Sequence, residues 1–320
     1  MSRSAAIVGA GSIGAWIADA LDRAGWTVSA VARGETLAAI RAGGLIVEQR
    51  GSSRVSRVRA GAPAELGPQD YVFLTVKAQG LSDLAPSLRP LLGPATVVVS
   101  GTNGIPWWFF QDFRGPLADR SLRSVDADGA QAATFPRERT LGSVVHASAR
   151  VLAPGRIEVV AADRLILGEP GGGEGGRLRD LVEALRAGGI NAEGSKRIRH
   201  EVWAKLWGNM SMNPLSALTR SGTSRMLASA ELRELCIRMM EEMQACARPL
   251  GLEMTLTPAE RIAVTQRLGD FRTSMLADLD AGRPLELDPQ LGAVVEIAEH
   301  LGVPAPFMRS VLGLARLISP

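Results

Sequence analysis

Cysteine is nearly absent from this chain: Cys236 and Cys246 are its only two in 320 residues. Both fall within one long helical pattern, where ten residues amount to about 15 Å of rise, too far for a disulfide inside the helix. Histidine is scarce too, and His146, His200 and His300 are scattered with no HxxxH or CxxC spacing beside them, so no metal site is expected. No apolar run reaches the roughly 18 residues of a membrane span, and the start lacks a charged segment followed by an apolar one. The expected location is therefore the cytoplasm. Excess charge is also missing, because 36 basic and 33 acidic side chains leave a net +3, so neither nucleic acid nor an anionic membrane is an expected partner. What is present is globular: hydrophobic residues make up 46% and charged residues 22%, and the length suits two domains.

The N-terminal segment carries the first motif. Ala5 to Val8 form a short apolar strand, followed by Gly9, Ala10, Gly11, Ser12, Ile13 and Gly14, and then by the helix-like AWIADALDRAG ending at Gly25. This is GxGxxG between a buried strand and a helix, the setting that gives the pattern its meaning. Gly9 permits the tight turn, Gly11 lets a pyrophosphate approach the backbone, and Gly14 lets the helix pack closely on the strand. The helix N-terminus then offers free N–H groups and a partial positive charge to phosphate. The second strand, Trp26 to Ala32, ends at Arg33, where NAD-specific proteins usually carry an acidic residue. A guanidinium suits a 2′-phosphate, so NADP(H) is expected over NAD(H).

Further strands place polar residues on the ligand side of the same sheet. Leu45 to Gln49 and Val55 to Arg59 read as a hairpin around GSS, and YVFLTVK after Asp70 reads as a buried parallel strand with Lys77 and Gln79 at its carboxyl end. Leu84 to Leu92 reads as a helix and Thr96 to Val99 as a strand, whose exit SGTNGIPWWF puts Asn103 at another carboxyl end. An asparagine there can donate and accept at once, to a nicotinamide carboxamide or a substrate hydroxyl. The aromatic run from Ile105 to Phe110 suits either a pocket wall or core. From Ser121 to Leu167 short strands alternate with Gly and Pro turns, then Arg177 to Ala187 reads as a helix and Gly188 to Glu193 as a last strand. A domain boundary near Ser195 gives residues 1–195 and 196–320.

The second half is helical almost throughout, with apolar residues at three and four spacing over Ala228 to Leu250, Pro258 to Leu279, Pro289 to Leu301 and Pro304 to Ile318. Its opening helix, EVWAKLWGNMSMNPLSAL from Glu201 to Leu218, is the informative one. Lys205, Asn209 and Asn213 stand at i, i+4 and i+8, a polar stripe drifting about 40° per step between flanks of Trp, Leu and Met. A stripe of that kind faces either solvent or a cleft. Two later features add polar chemistry: Ser274 in FRTSMLADL, and Glu286 in the loop AGRPLELD, either a solvated turn residue or a partner for a buried cation such as Lys205.

Together these residues resemble the ketopantoate reductase family over nearly the full length. The resemblance rests on GAGSIG, on TVKAQ ending at Gln79, on the NG of Asn103, on WAKLWGNMSMNP from Trp203, and on SMLADLDAGRPLELD from Ser274 to Asp288. It implies an α/β Rossmann-like dinucleotide-binding domain followed by an all-α domain of the 6-phosphogluconate-dehydrogenase-like kind. The implied activity is NADPH-dependent reduction of 2-dehydropantoate to pantoate in pantothenate biosynthesis. By the resemblance Lys205 and Glu286 are the catalytic pair, and Asn103, Asn209, Asn213 and Ser274 bind substrate. The glycine loop from Gly9 to Gly14 binds cofactor together with Arg33, Lys77, Gln79, Asn103 and Glu286. The chain departs from the family pattern at Gln79, which follows Ala78 directly where an aromatic often intervenes, at Thr223, where some members have asparagine, and at the bulky pair Trp107 and Trp108. These departures leave open another bulky 2-oxo acid as substrate. A non-catalytic NADP(H) sensor that signals through the helical domain is a second class of reading. The apolar stripes allow either a monomer or a homodimer.

Overall fold

The first strand, β1 (Ser4–Val8), has Ala5 through Val8 buried, and it is an interior strand of the sheet, paired along both edges. The computed structural model describes residues 3–320. The remaining strands are β2 (Thr27–Val31), β3 (Leu45–Gln49), β4 (Ser52–Ser56), β5 (Arg59–Gly61), β6 (Gln69–Leu74), β7 (Leu92–Ser100), β8 (Thr140–Ala153), β9 (Arg156–Gly168) and β10 (Ala192–Gly194). They run in the order β4-β3-β9-β8-β7-β6-β1-β2-β5, with β10 on β9. From β1 the chain moves outward to β2 and β5, then returns to β6 and β7 on the other side, all parallel. The reversal puts a topological switch point at the carboxyl end of β1, where open α/β sheets bind ligands.

Helices α1 (Ser12–Arg23), α2 (Gly34–Gly43) and α3 (Gly176–Ala187) cover this sheet. On α1, Trp16, Ile17 and Leu21 are buried, each contributing about 1.5–3 kcal/mol as apolar surface leaves water. The same helix buries Asp19, whose carboxylate accepts from Arg23 Nε at 2.8 Å and from Ser56 Oγ at 2.6 Å and pairs with Arg54. A buried carboxylate so satisfied ties β4 to α1.

The helical unit comprises α4 (Ile198–Thr219), α5 (Thr223–Ala228), α6 (Ala230–Leu250), α7 (Pro258–Arg267), α8 (Ser274–Asp280), α9 (Ala293–Leu301) and α10 (Pro306–Ile318). It is not confined to the chain beyond Ser195. One compact unit holds the residues up to Thr102 with Asp128–Ile198, and the other holds Asn103–Ala127 with Arg199–Pro320. A single cut in the sequence does not describe this grouping, because the segment leaving β7 packs its aromatic side chains with α4: Phe109 stacks on Trp203 at 6.1 Å between ring centroids. Trp107, Trp108, Phe109 and Phe110 are all buried, so the aromatic run is core, and Trp107 and Phe110 also line a small cavity beside Leu122 and Asp126.

Other elements differ from their sequence reading for local reasons. The short strands expected between Ser121 and Leu167 are short helical turns followed by one long antiparallel hairpin, β8 and β9, of 14 and 13 residues. Register shifts at His146/Ala147, Ser148/Ala149 and Val151/Ala153 break the alternation that would have revealed its length. The expected helix over Leu84 to Leu92 is a 3₁₀ segment, Ala85–Leu91, since Pro86 and Pro90 lack the N–H an α-helix needs. The hairpin after β3 returns as Ser52–Ser56, while Arg59–Gly61 pairs with β2. The single helix read over Pro258 to Leu279 is two, α7 and α8, parted at Gly269, with the Thr273 side chain capping α8 by accepting from Leu276 N.

Among the described residues, no helix is long and apolar enough to cross a membrane, and no three His, Cys, Asp or Glu residues gather as metal ligands would. Cys236 and Cys246 are free and buried, and burial pushes both thiols up to about 12.

Candidate active site

The glycine loop leaves β1 and enters α1 with the three glycines in three distinct settings. Gly9 has φ +98°, a conformation that side chains disfavour, and a Cβ there would lie 2.8 Å from Val76 Cγ1. Gly14 faces Thr75 and Ile7, where a Cβ would fall 2.6 Å from Thr75 Oγ1 and 2.8 Å from Ile7 Cγ2. Thr75 Oγ1 in turn donates to Gly9 O at 2.9 Å, so the loop is pinned to the chain leaving β6. Gly11 is different: nothing lies within 4 Å of where its Cβ would be. It is also the N-cap of α1 and offers no side chain to the helix, so the first-turn N–H groups have no capping group. An open backbone at an uncapped helix N-terminus fits a dinucleotide pyrophosphate. Arg33 caps the start of α2 just past β2 and is exposed, with no carboxylate partner among the described residues. Lys77 and Gln79 follow β6, with Lys77 at the head of a 3₁₀ turn, and both are exposed.

The helical unit assembles the second group. On α4, Trp203, Leu206, Trp207, Met210 and Met212 are buried, which fixes the direction in which the Lys205 stripe points. Lys205 is half-buried, and its Nζ donates to Asn103 Oδ1 at 2.8 Å. Burial lowers the Lys205 pKa from 10.5 to about 8, against the opposing pull of the nearby Glu286 charge. Glu286 is itself buried, at 4% exposure, so of the two readings open to it the solvated turn residue falls away.

Asn103 reaches Lys205 because four contacts hold its segment in place. Ile105 N donates to Pro289 O at 2.8 Å, inside a π-helical turn, Asp288–Gly292, that leads into α9. Gly104, at φ +90°, lies against the same residue, and a Cβ there would fall 2.6 Å from the Pro289 carbonyl carbon. From α4, Arg199 Nε donates to Phe109 O at 2.7 Å and a terminal nitrogen donates to Gln111 O.

The remaining expected residues divide. Asn213 is buried and donates through Nδ2 to Gln290 Oε1 at 3.0 Å, so it is held by the π-helical turn. The Asn209 amide is half-buried with no protein partner among the described residues. Ser274 is exposed at the first position of α8, and no hydrogen bond joins its side chain to the Lys205 group. Gln290 was not picked out from the sequence. The signal was there in Asn213, a buried amide on an apolar helix that required a polar partner.

Comparison with known proteins bears on the whole chain. Residues 5–172 match the family model described as Ketopantoate reductase PanE/ApbA, and residues 197–319 match the model of that family's C-terminal region. The chain belongs to the ketopantoate reductase family. This member is 42% identical over 315 residues to a 2-dehydropantoate 2-reductase of Mesorhizobium japonicum, covering 98% of this chain and 97% of the relative. A candidate ketopantoate reductase of Ralstonia solanacearum, known as a crystal structure, superposes with a TM-score of 0.95 at 40% identity, covering 99% and 98% of the two chains. A PanE/ApbA family ketopantoate reductase from Ralstonia eutropha superposes with a TM-score of 0.83 at 27% identity, covering 98% of each chain. The protein is thus a ketopantoate reductase-type oxidoreductase acting between C=O and CH–OH, in a family whose cofactor is NADP(H).

Proposed function

We propose that this reductase converts 2-dehydropantoate to pantoate with NADPH, as a cytoplasmic enzyme of pantothenate biosynthesis, with Lys205 as the general acid. The observation that carries the reading is a single lysine, half-buried, held by Asn103 at 2.8 Å and lowered to about 8. Reduction of a 2-oxo acid places negative charge on the carbonyl oxygen as the new C–H bond forms. NADPH, when bound, supplies the hydride. Lys205 supplies a positive field at that oxygen and then the proton, for which a pKa near the working pH is the useful value. Asn103 occupies one N–H of Lys205 and so fixes where the others point. Glu286 opposes full neutralisation of the ammonium and, with the unpartnered Asn209 amide, would take the substrate hydroxyl. The Gly9 to Gly14 loop would hold the pyrophosphate and Arg33 the 2′-phosphate, an arrangement supported by the open backbone at Gly11 and the free guanidinium at Arg33.

The test mixes purified protein with NADPH and 2-dehydropantoate and follows the nicotinamide absorbance. Oxidation that is fast with this substrate and weak with pyruvate supports the reading. Turnover confined to bulkier 2-oxo acids moves the substrate while keeping the chemistry, and tight NADPH binding without turnover on any 2-oxo acid overturns it in favour of a sensor.

A further inference from the structure

Strands β3 and β4 pack on α1, and with the turn that follows α3 they enclose a cavity of about 300 Å³. Trp16, Val47 and Ile190 supply its apolar lining, and Arg23, Arg50 and Arg54 its positive charge. The turn closes one side: a Cβ on Gly188 would fall 2.0 Å from Ala20 O, so glycine is needed for it to sit against α1. The charged end of the cavity is far from the glycine loop, since Gly11 and Arg23 stand at opposite ends of α1, about 18 Å of rise apart.

The charges around this cavity are unevenly matched. Asp19 also lines it, but both of its oxygens are taken, Oδ2 by Arg23 Nε at 2.8 Å and Oδ1 by Ser56 Oγ at 2.6 Å and by Arg54. Arg54 gives its other terminal nitrogen to Asp22 at 2.6 Å. Arg23 commits Nε and keeps its terminal nitrogens, while Arg50 pairs with no carboxylate among the described residues. The Ser52 and Ser53 hydroxyls line the same cavity and have no hydrogen-bond partner among those residues. Backbone strain marks the same place. Arg50 at φ +52° and Gly51 at φ +76° form a two-residue hairpin loop between Gln49 and Ser52. That turn favours asparagine followed by glycine, so the hairpin tip holds a guanidinium at the cavity in a conformation its side chain disfavours.

The donors left over define the ligand. A carboxylate is planar, with two oxygens, and matches a single guanidinium fork, whereas a phosphate monoester presents three strong acceptor oxygens and close to two negative charges. Two uncommitted guanidinium groups and two hydroxyls suit the second. The geometry points to a further ligand site at the far end of α1 that binds a small phosphate monoester. Arg50 and Arg23 hold the phosphate, Ser52 and Ser53 donate to it, and Trp16, Val47 and Ile190 cover its organic body. The site is separate from the nucleotide loop and does not depend on which 2-oxo acid the enzyme reduces.

The experiment titrates glycerol 3-phosphate calorimetrically into the full-length protein, first alone and then saturated with NADPH so that the phosphate positions of the nucleotide site are filled. Wild type is compared with Arg50→Asn, and malonate serves as a carboxylate of similar size. Saturable binding that persists with NADPH bound is expected, weakened by about tenfold to hundredfold in Arg50→Asn through loss of one charge-assisted fork, with malonate weaker than the phosphate ester. Asparagine suits the first position of the turn, so Arg50→Asn should melt without ligand at or above the wild-type temperature, which separates lost binding from lost folding. The absence of saturable binding, its loss when NADPH is bound, equal affinity in wild type and Arg50→Asn, or malonate binding as tightly as glycerol 3-phosphate overturns the proposal.

Discussion

Lys205 Nζ donates to Asn103 Oδ1 at 2.8 Å across a sequence separation of 102 residues. The lysine comes from the helix that opens the C-terminal half, and the asparagine from the segment that leaves β7. Their meeting explains why Asn103–Ala127 groups with the helical unit although the sequence on both sides of it builds the sheet. The excursion brings an amide oxygen to the ammonium and then returns.

The Lys205 pKa of about 8 gives the pH dependence a sign. If Lys205 is the proton donor the reduction needs its protonated form, so kcat/KM should be flat at neutral pH and fall as pH rises through about 8. Glu286 raises that pKa, and Glu286→Gln should therefore move the fall to lower pH. Lys205→Met should lower kcat by about 10²–10⁴-fold, the usual contribution of a general acid. Stopped-flow rates across pH 6 to 10 would show it. An alkaline limb unmoved in Glu286→Gln would detach the carboxylate from the lysine's titration.

Arg33 bears on cofactor choice. It is exposed at the start of α2, with no carboxylate among the described residues to neutralise it. If it meets a 2′-phosphate, Arg33→Ala should weaken NADPH by about 10- to 100-fold, the range for one charge-assisted contact, and leave NADH nearly unchanged. Fluorescence titration with both dinucleotides is sufficient, and equal losses would mean the side chain does not read the phosphate.

What could be seen in the sequence followed from periodicity and local chemistry. GxGxxG between strand and helix, the 3.6-residue stripe of Lys205, Asn209 and Asn213, and the unbroken apolar runs of β1 and β6 each state their structure within a dozen residues. The long hairpin of β8 and β9 was hidden by three register shifts, which erase alternation at the points where it would be counted. The placement of Asn103–Ala127 could not be read either, because strand exits look alike whether the chain stays on the sheet or leaves it. Gln290 was missed for a related reason. It is ordinary in its own turn, and its meaning lies in Asn213, the residue it meets on α4.

The Asn213 and Gln290 amides form a buried pair, Nδ2 to Oε1 at 3.0 Å, with exposures of 6% and 1%. Removing either partner strands the other away from water, at a cost of about 1–3 kcal/mol. Asn213→Leu and Gln290→Leu should each lower the midpoint of urea unfolding, and the double variant should be less destabilised than the sum of the two. Strict additivity in this cycle would show that the pair does not couple α4 to the π-helical turn.

Gly11 and Gly14 belong to one motif, and the structure separates their tasks. At Gly14 a Cβ would fall 2.6 Å from Thr75 Oγ1 and 2.8 Å from Ile7 Cγ2, whereas at Gly11 it would meet nothing within 4 Å. Gly14→Ala should therefore destabilise the nucleotide unit by about 1–3 kcal/mol, the cost of overpacking a close helix–strand contact. Gly11→Ala should leave thermal stability without ligand unchanged, since alanine fits there, yet weaken NADPH if the pyrophosphate approaches the open backbone at this position. Paired melts with and without NADPH distinguish the two. If Gly11→Ala kept the full stabilisation by NADPH seen in the wild type, the open backbone at the start of α1 would not be where the dinucleotide sits.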